Sequence, residues 1–455
     1  MSADVASLQA PSEQGLLPYL SRRLPALYLA VSRAAAVALQ FVLQLVVGNL
    51  AGPAGLGLLQ LFHSWTCVLG EVLAQGLPAQ TLRVTSVAWG SRNIAQCAFY
   101  LRQAVGRILK GCIILTAIVA VSLPLLHLLG SADTPWVPGL VILAVLVASP
   151  LFALLRLGSE TLKAVDMPLQ AITLESLLAP AVMLAVCLGC WAAGMPLLPA
   201  VLLVAGISGF IVVLLATARA LKRRLASVPG ASASGAAASR ANRPSPYACG
   251  NASELRALWL NSLLSILFLQ FPFLLLPWFA GTEEIGVFAV SYKLISVITT
   301  LLMLMTAVFG PAFARAAEHG DKGRLATLLV RTQCVSLAIF LPIAVAINLG
   351  AGQLGGIFNL GEGSLGPFLL ALTAGQLINA ATGLSGVLLN MAGAARRELW
   401  TLVLALAFAG GLAPFVGHLY GALGIAWLFS ATLIVKNLAS YFMAVGFLKH
   451  MEHTR

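Results

Sequence analysis

The chain has 455 residues, of which 60% are hydrophobic and only 9% charged, and its mean hydropathy is +0.95. Soluble domains carry about 25% charged residues, so this composition excludes a soluble domain and indicates a polytopic membrane protein. A net charge of +12 would suggest nucleic acid in a soluble chain, but here the cations follow membrane topology and no nucleic-acid partner is expected.

The first residues are polar and the first apolar stretch is long and lacks a small-residue cleavage site, so no secretory signal peptide is expected. Apolar runs at about 24–48, 56–82, 106–129, 137–158, 168–191 and 197–220 predict six helices, each long enough for a hydrocarbon core of about 30 Å. Residues 222–254 lack an apolar run, are rich in Ala, Ser, Pro and Gly, and carry LKRRL at one end; this predicts a flexible cytoplasmic linker. Six further runs follow at about 256–279, 285–314, 325–348, 364–391, 398–416 and 422–447. Runs of this length exclude a transmembrane β-barrel.

The expected fold class is therefore an all-α polytopic membrane protein of about twelve transmembrane helices, each near 20 residues. They form two six-helix lobes, 1–221 and 255–455. An even number of crossings per lobe makes the lobes parallel repeats, related by a pseudo-two-fold axis along the membrane normal.

Lysine and arginine alternate between the gaps. The gaps at 49–55, 130–139, 192–198, 280–285, 348–363 and 417–421 contain neither, and their only charges are Asp133, Glu283, Glu284 and Glu362. The intervening gaps hold Arg22 and Arg23, then Arg83 to Lys110, Arg156 and Lys163, Arg219 to Arg243, Arg315 to Arg331, Arg396 and Arg397, and Lys449. Positive charge is retained on the cytoplasmic side, which places both termini in the cytoplasm. Of the seven cysteines, Cys67, Cys112, Cys187, Cys190 and Cys334 fall inside apolar runs. The Cys187–Cys190 pair has no nearby His or acid, so neither a disulfide framework nor a metal site is expected.

The lobes echo one another. GPAGLGLLQLF opens the second run and GLPAQTLRVTS closes it, while EIGVFAVSYKL opens the eighth and FGPAFARAAEH closes it. In both, Gly follows the outer turn and Pro-Ala precedes Arg at the cytoplasmic end. The SYKL stretch at 286–294, the PAFARA run at 311–316 followed by HGDKGRL, and GLPAQTLR at 76–83 resemble the bacterial polysaccharide and O-antigen flippases. These belong to the larger group that includes multidrug and toxin extrusion antiporters and lipid II flippases; the latter usually have two further helices.

The resemblance implies an inner-membrane flippase that moves undecaprenyl-pyrophosphate-linked oligosaccharide to the outer leaflet by alternating access, in surface polysaccharide (O-antigen, lipopolysaccharide) biosynthesis. Its implied partners are membrane lipid, the lipid-linked glycan, and the polymerase and glycosyltransferases of the same pathway. Proton or sodium coupling is also implied; neither a cofactor nor a catalytic residue is.

A charge in hydrocarbon costs about 2.5–3.5 kcal/mol on insertion scales, so intramembrane charges mark cavities or partners. Arg33, Gln40 and Gln44 lie at i, i+7 and i+11, within about 20° of one helical face. Arg33 precedes Gly52 by as many residues as Glu71 follows it, so the two are expected at similar depth. Two readings are open: a structural salt bridge, or a substrate or coupling site with Glu71 as the coupling carboxylate.

Lys293 is the corresponding cation of the second lobe, roughly 10 Å below the outer surface, from which it could also snorkel. Flippases of this kind are thought to hold an anionic lipid-linked sugar with cavity cations, which the resemblance assigns to Arg33 and Lys293. Lys and Arg suit pyrophosphate, and amides and hydroxyls suit sugars. Asn261, Ser262 and Ser265, with Gln376, Asn379 and Asn390, could supply the latter or make interhelical hydrogen bonds. Lys436, Asn437 and Glu175 are further polar groups within apolar runs, without an assigned role.

Two other functions compete. A cation or drug antiporter of the same fold group would need an acidic cavity, against the sign of Arg33 and Lys293. A membrane-embedded glycan polymerase or ligase would need a large outer loop or an acidic and histidine constellation there, and the outer gaps are short. No GxxxxGK[ST] phosphate loop is present.

Overall fold

The structure is a computed structural model that describes residues 16–128, 139–227 and 252–450. Most of the linker predicted at 222–254 and of the gap at 130–139 lies outside the described residues. Every regular element described is helical, as lipid requires: a crossing backbone must satisfy its own N–H and C=O groups.

The N-terminal lobe contains α1 (Leu16–Ala74), α2 (Leu77–Gly90), α3 (Ile94–Leu128), α4 (Gly139–Ala164), α5 (Pro168–Thr173), α6 (Ala179–Ala192) and α7 (Pro199–Ala226). A π-helical turn, Leu174–Leu178, joins α5 to α6. The C-terminal lobe contains α8 (Ala252–Leu275), α9 (Thr282–Glu318), α10 (Lys322–Leu349), α11 (Ala351–Ile357), α12 (Leu365–Thr382), α13 (Ser385–Met391) and α14 (Ala395–His450).

Nine helical stretches among the described residues are long and apolar enough to cross a membrane, and two of them, Ala34–Ala74 and Arg396–Lys449, run to 41 and 54 residues. Each of these two kinks at one glycine, Gly52 (φ 68°, ψ −174°) and Gly421 (φ 57°, ψ −140°). That backbone region is open essentially to glycine alone. A Cβ on Gly424 would lie 2.6 Å from the Val416 carbonyl oxygen, although residues eight apart in a straight helix are separated by about 12 Å. The chain therefore folds back on itself at the kink. With two stretches double and α9 added, the described helices make twelve crossings.

The helices also break where hydropathy does not. The run expected over 56–82 ends at Ala74, and Gln75 (φ 50°) and Gly76 (φ 74°) turn the chain into α2. Gly76 admits α8: a Cβ there would stand 2.9 Å from both the Leu255 oxygen and the Trp259 nitrogen. The run expected over 364–391 breaks at Gly383, with φ 59° and ψ −146°. There Thr332 Oγ1 of α10 accepts the Leu384 N–H at 3.4 Å, meeting one of the donors that a helix start leaves unpaired.

The lobes meet along the start of the second crossing and the start of α9. A Cβ at Gly57 would overlap the Thr282 carbonyl, and one at Gly286 would overlap the Pro53 carbonyl. The pattern is reciprocal: each glycine faces the residue four positions before the other. Reciprocity of this kind is what a two-fold axis between two equivalent helices produces. The segments that echo one another in sequence are thus the segments that touch, at the bundle end formed by the charge-poor gaps. The largest apolar core continues through both lobes, joining Leu61 and Phe62 to Phe273 and Phe288.

Candidate functional site

Polar groups bridge the two lobes. Lys293 on α9 donates from Nζ to Oε1 of Gln40 on α1, 253 residues away in sequence. One turn beyond Gln40, the Oε1 atom of Gln44 is buried without a hydrogen-bond partner. On the second arm of α1, Gln60 donates to Ser64 at 3.0 Å, and Ser64 donates to Gln270 of α8 at 2.8 Å. Lys293 of the second lobe and Gln40 of the α1 stripe are therefore in contact. The Arg33 side chain lies outside the described residues.

With the Arg33 side chain outside the described residues, the pairing expected for it is not seen either way, and Glu71 has a neighbour that the sequence pattern did not single out. Its described ionic partner is Arg156 of α4, with Nη2 3.7 Å from Oε2. Local packing explains this choice. Gly70 lacks a side chain, and a Cβ there would come within 2.5 Å of the Phe152 ring. α4 therefore packs close to α1 at this level, and Arg156, one turn beyond Phe152, reaches the carboxylate. Glu71 is only 2% exposed, and Oε2 has no hydrogen bond. The indole of Trp259 donates to the Glu71 backbone oxygen at 3.3 Å, tying this level to the second lobe. Glu175, in the π-helical turn, accepts from Ser159 of α4 at 2.6 Å.

The C-terminal lobe lines an open cavity of about 1050 Å³. α8 contributes Asn261 and Ser265, α9 contributes Tyr292, Ser296, Thr299 and Thr300, α12 contributes Gln376 and Asn379, α13 contributes Asn390, and α14 contributes Glu398, Lys436 and Asn437. Asn379 donates to Gln376 at 2.8 Å. Lys436 Nζ lies 2.6 Å from Glu398 Oε1, and Ser440 donates to Glu398 Oε2 at 2.7 Å. Gly386 makes room for this carboxylate, since a Cβ there would lie 2.5 Å from Oε1.

The expected site residues thus fall in two places. Asn261, Gln376 and Asn379 share the C-lobe cavity, as do Ser265 and Asn390. Gln40 and Lys293 sit at the junction between lobes, and Lys293 is not among the residues lining the cavity, although its neighbour Tyr292 is. Ser262 does not line it either.

Sequence reasoning missed Glu398, which sits beside Arg396 and Arg397 and reads as a boundary residue. A signal was available: Lys436 interrupts an apolar run and needs a partner, and Glu398 is the only acid between Glu362 and Glu452. A second concavity, of about 660 Å³, opens at the basic end between α1, α5 and α7. There Tyr28 and Thr173 share a 3.2 Å hydrogen bond, and Arg224 lies over the Trp89 ring at 5.2 Å.

Residues 256–356 match a family model described as "Polysaccharide biosynthesis protein". The sequence match to that family is thus confined to the first half of the second lobe. Over nearly the whole chain, similarity is structural. A multidrug resistance MATE family transporter of the MOP superfamily in an inward-facing conformation superposes with TM-score 0.70 at 14% identity, covering 92% of this chain and 96% of that one. A MOP superfamily transporter from Pyrococcus furiosus, described as having a binding pocket of reverse polarity, gives TM-score 0.61 at 15% identity, covering 94% and 96%. An outward-facing MATE structure gives 0.59 at 16% identity, covering 94% and 96%.

The chain is a multi-pass membrane protein that shares the two-lobed fold of the transporters it superposes on. No curated protein matches it in sequence.

Proposed function

We propose that this protein is an inner-membrane flippase for undecaprenyl-pyrophosphate-linked oligosaccharide, carrying the glycan head from the cytoplasmic to the outer leaflet by alternating access. The C-lobe cavity is the observation that carries this reading. Its polar wall is built from carboxamides and hydroxyls, groups that both donate to and accept from sugar hydroxyls. Its volume, about 1050 Å³, exceeds the roughly 300–1,000 Å³ of pockets that enclose drug-sized ligands. The match to polysaccharide biosynthesis proteins over 256–356 spans α8, α9 and α10, two of which supply this wall. The positive-inside rule puts the basic face and both termini in the cytoplasm.

A cation antiporter is less well supported. Its cavity should present uncompensated carboxylate, whereas the one carboxylate that lines the cavity among the described residues, Glu398, is paired with Lys436. Glu71 does not line the cavity and faces Arg156, so no coupling role is assigned to it.

The deciding experiment is reconstitution. Purified protein in liposomes preloaded with lipid-linked oligosaccharide on one leaflet should expose sugar to a membrane-impermeant lectin on the other, and Asn379→Leu should slow the exposure. Transport of a fluorescent cation without sugar exposure would reverse the assignment in favour of the antiporter.

A further inference from the structure

Within the cavity, Glu398 and Lys436 are more than a helix clamp. A buried ion pair is poor at stabilising a fold relative to well-packed apolar residues, and this one stands on the wall of a cavity, with side chains 11% and 18% exposed. Lysine has three N–H donors, of which the pair uses one. Glu398 also accepts Ser440 Oγ at 2.7 Å through its other oxygen, so it keeps a hydrogen bond when Lys436 turns away. Beside them Asn437, only 6% exposed, lines the same wall and has an Nδ2 with no partner. A buried amide donor left unmade is costly, and an arriving oxygen acceptor would satisfy it. Glu398 is the only acid lining this cavity among the described residues.

We propose that Lys436 and Asn437 form an oxyanion seat in the C-lobe cavity, whose lysine is held by the Glu398 carboxylate when the cavity is empty and whose two donors are taken over by a phosphate-type group of the cargo. On the flippase reading, on which the identity of the cargo rests, this seat receives the pyrophosphate that joins lipid to glycan. It adds to Lys293 at the lobe junction, which is already engaged by Gln40. Glu398 acts as an internal competitor: it lowers affinity and spares the empty protein an unpaired ammonium inside the bilayer.

Binding to the full chain in nanodiscs tests the seat independently of flipping. Inorganic pyrophosphate and farnesyl pyrophosphate are titrated calorimetrically against wild type, Lys436→Gln, Glu398→Gln and Asn437→Leu. Lys436→Gln should weaken binding at least tenfold, and Glu398→Gln, which keeps the side-chain shape and removes the competing charge, should tighten it severalfold. Asn437→Leu should weaken binding yet raise the melting temperature, since it removes an unmet donor; a purely structural Asn437 would lower it.

Binding of both probes supports the seat with the phosphate chemistry sufficient, and binding of farnesyl pyrophosphate alone supports it with the lipid as the source. Binding of neither probe to wild type, equal binding by folded Lys436→Gln, or weaker binding by Glu398→Gln overturns it. If the seat binds but no sugar is exposed in liposomes, the flippase reading falls and the seat stands. If sugar is exposed and Lys436→Gln still binds, the reverse holds.

Discussion

The contact between Gly57 and Gly286 is the most specific handle on motion between the lobes. Alanine in place of glycine in a helix interior normally stabilises by about 0.8–1.0 kcal/mol. Here the added methyl would overlap a main-chain carbonyl on the other lobe, that of Thr282 or of Pro53. No rotamer change relieves such a clash, so the lobes must part at this end. Overpacking costs about 1–3 kcal/mol, and a net penalty near 2 kcal/mol on the closed arrangement would shift its population about 30-fold. Because the two contacts are reciprocal, separation forced by Gly57→Ala also relieves the clash at Gly286, and the double variant should cost less than the sum of the singles.

The assay is a spin-label distance between cysteines at Met195 and Glu284, which are exposed in the charge-poor gaps of opposite lobes, in a background lacking the native cysteines. Gly57→Ala should lengthen and broaden that distance distribution. A raised melting temperature with an unchanged distribution would show that the glycines are ordinary helix residues and would refute the reciprocal contact.

Two further outcomes are expected. Arg156→Met should lower thermal stability by about 1–3 kcal/mol, the cost of leaving a buried polar group unmet, while Glu71→Gln, which removes the charge instead of its partner, should cost less; equal effects would contradict the Glu71–Arg156 pairing. Gly421→Ala should destabilise by about 1–3 kcal/mol through backbone strain alone, read as loss of monodisperse protein on gel filtration, and a stabilised variant would show that the chain does not fold back there.

The crossings were legible in the sequence because lipid imposes two coarse requirements, apolar length and a basic side, and Gly52 and Gly421 fall inside gaps that lack cations. Gly76 and Gly383 were not legible. Each lies where apolar character continues on both sides, and nothing in composition separates a glycine that turns the chain from one such as Gly206, which makes room for the Phe62 ring. The same limit governs the site. The residue types of the cavity could be picked from the sequence as polar interruptions, and Asn261, Gln376 and Asn379 line one cavity. Pairings could not, because which helices touch is decided by small residues: Gly70 lets α4 in and gives Glu71 to Arg156, and Gly386 lets Glu398 reach Lys436.

These close approaches also set a direction. Gly57 and Gly286 close the lobes together at the charge-poor end. Glu398 follows directly on Arg396 and Arg397, so the charged part of the cavity wall lies toward the basic end. A carrier that takes an anionic head from the side rich in Lys and Arg would need this polarity: a sealed far end, and a masked cation near the loading side. Release would then require the glycine contact to open. On that logic Gly57→Ala should weaken pyrophosphate binding in the cavity even though Gly57 does not line it.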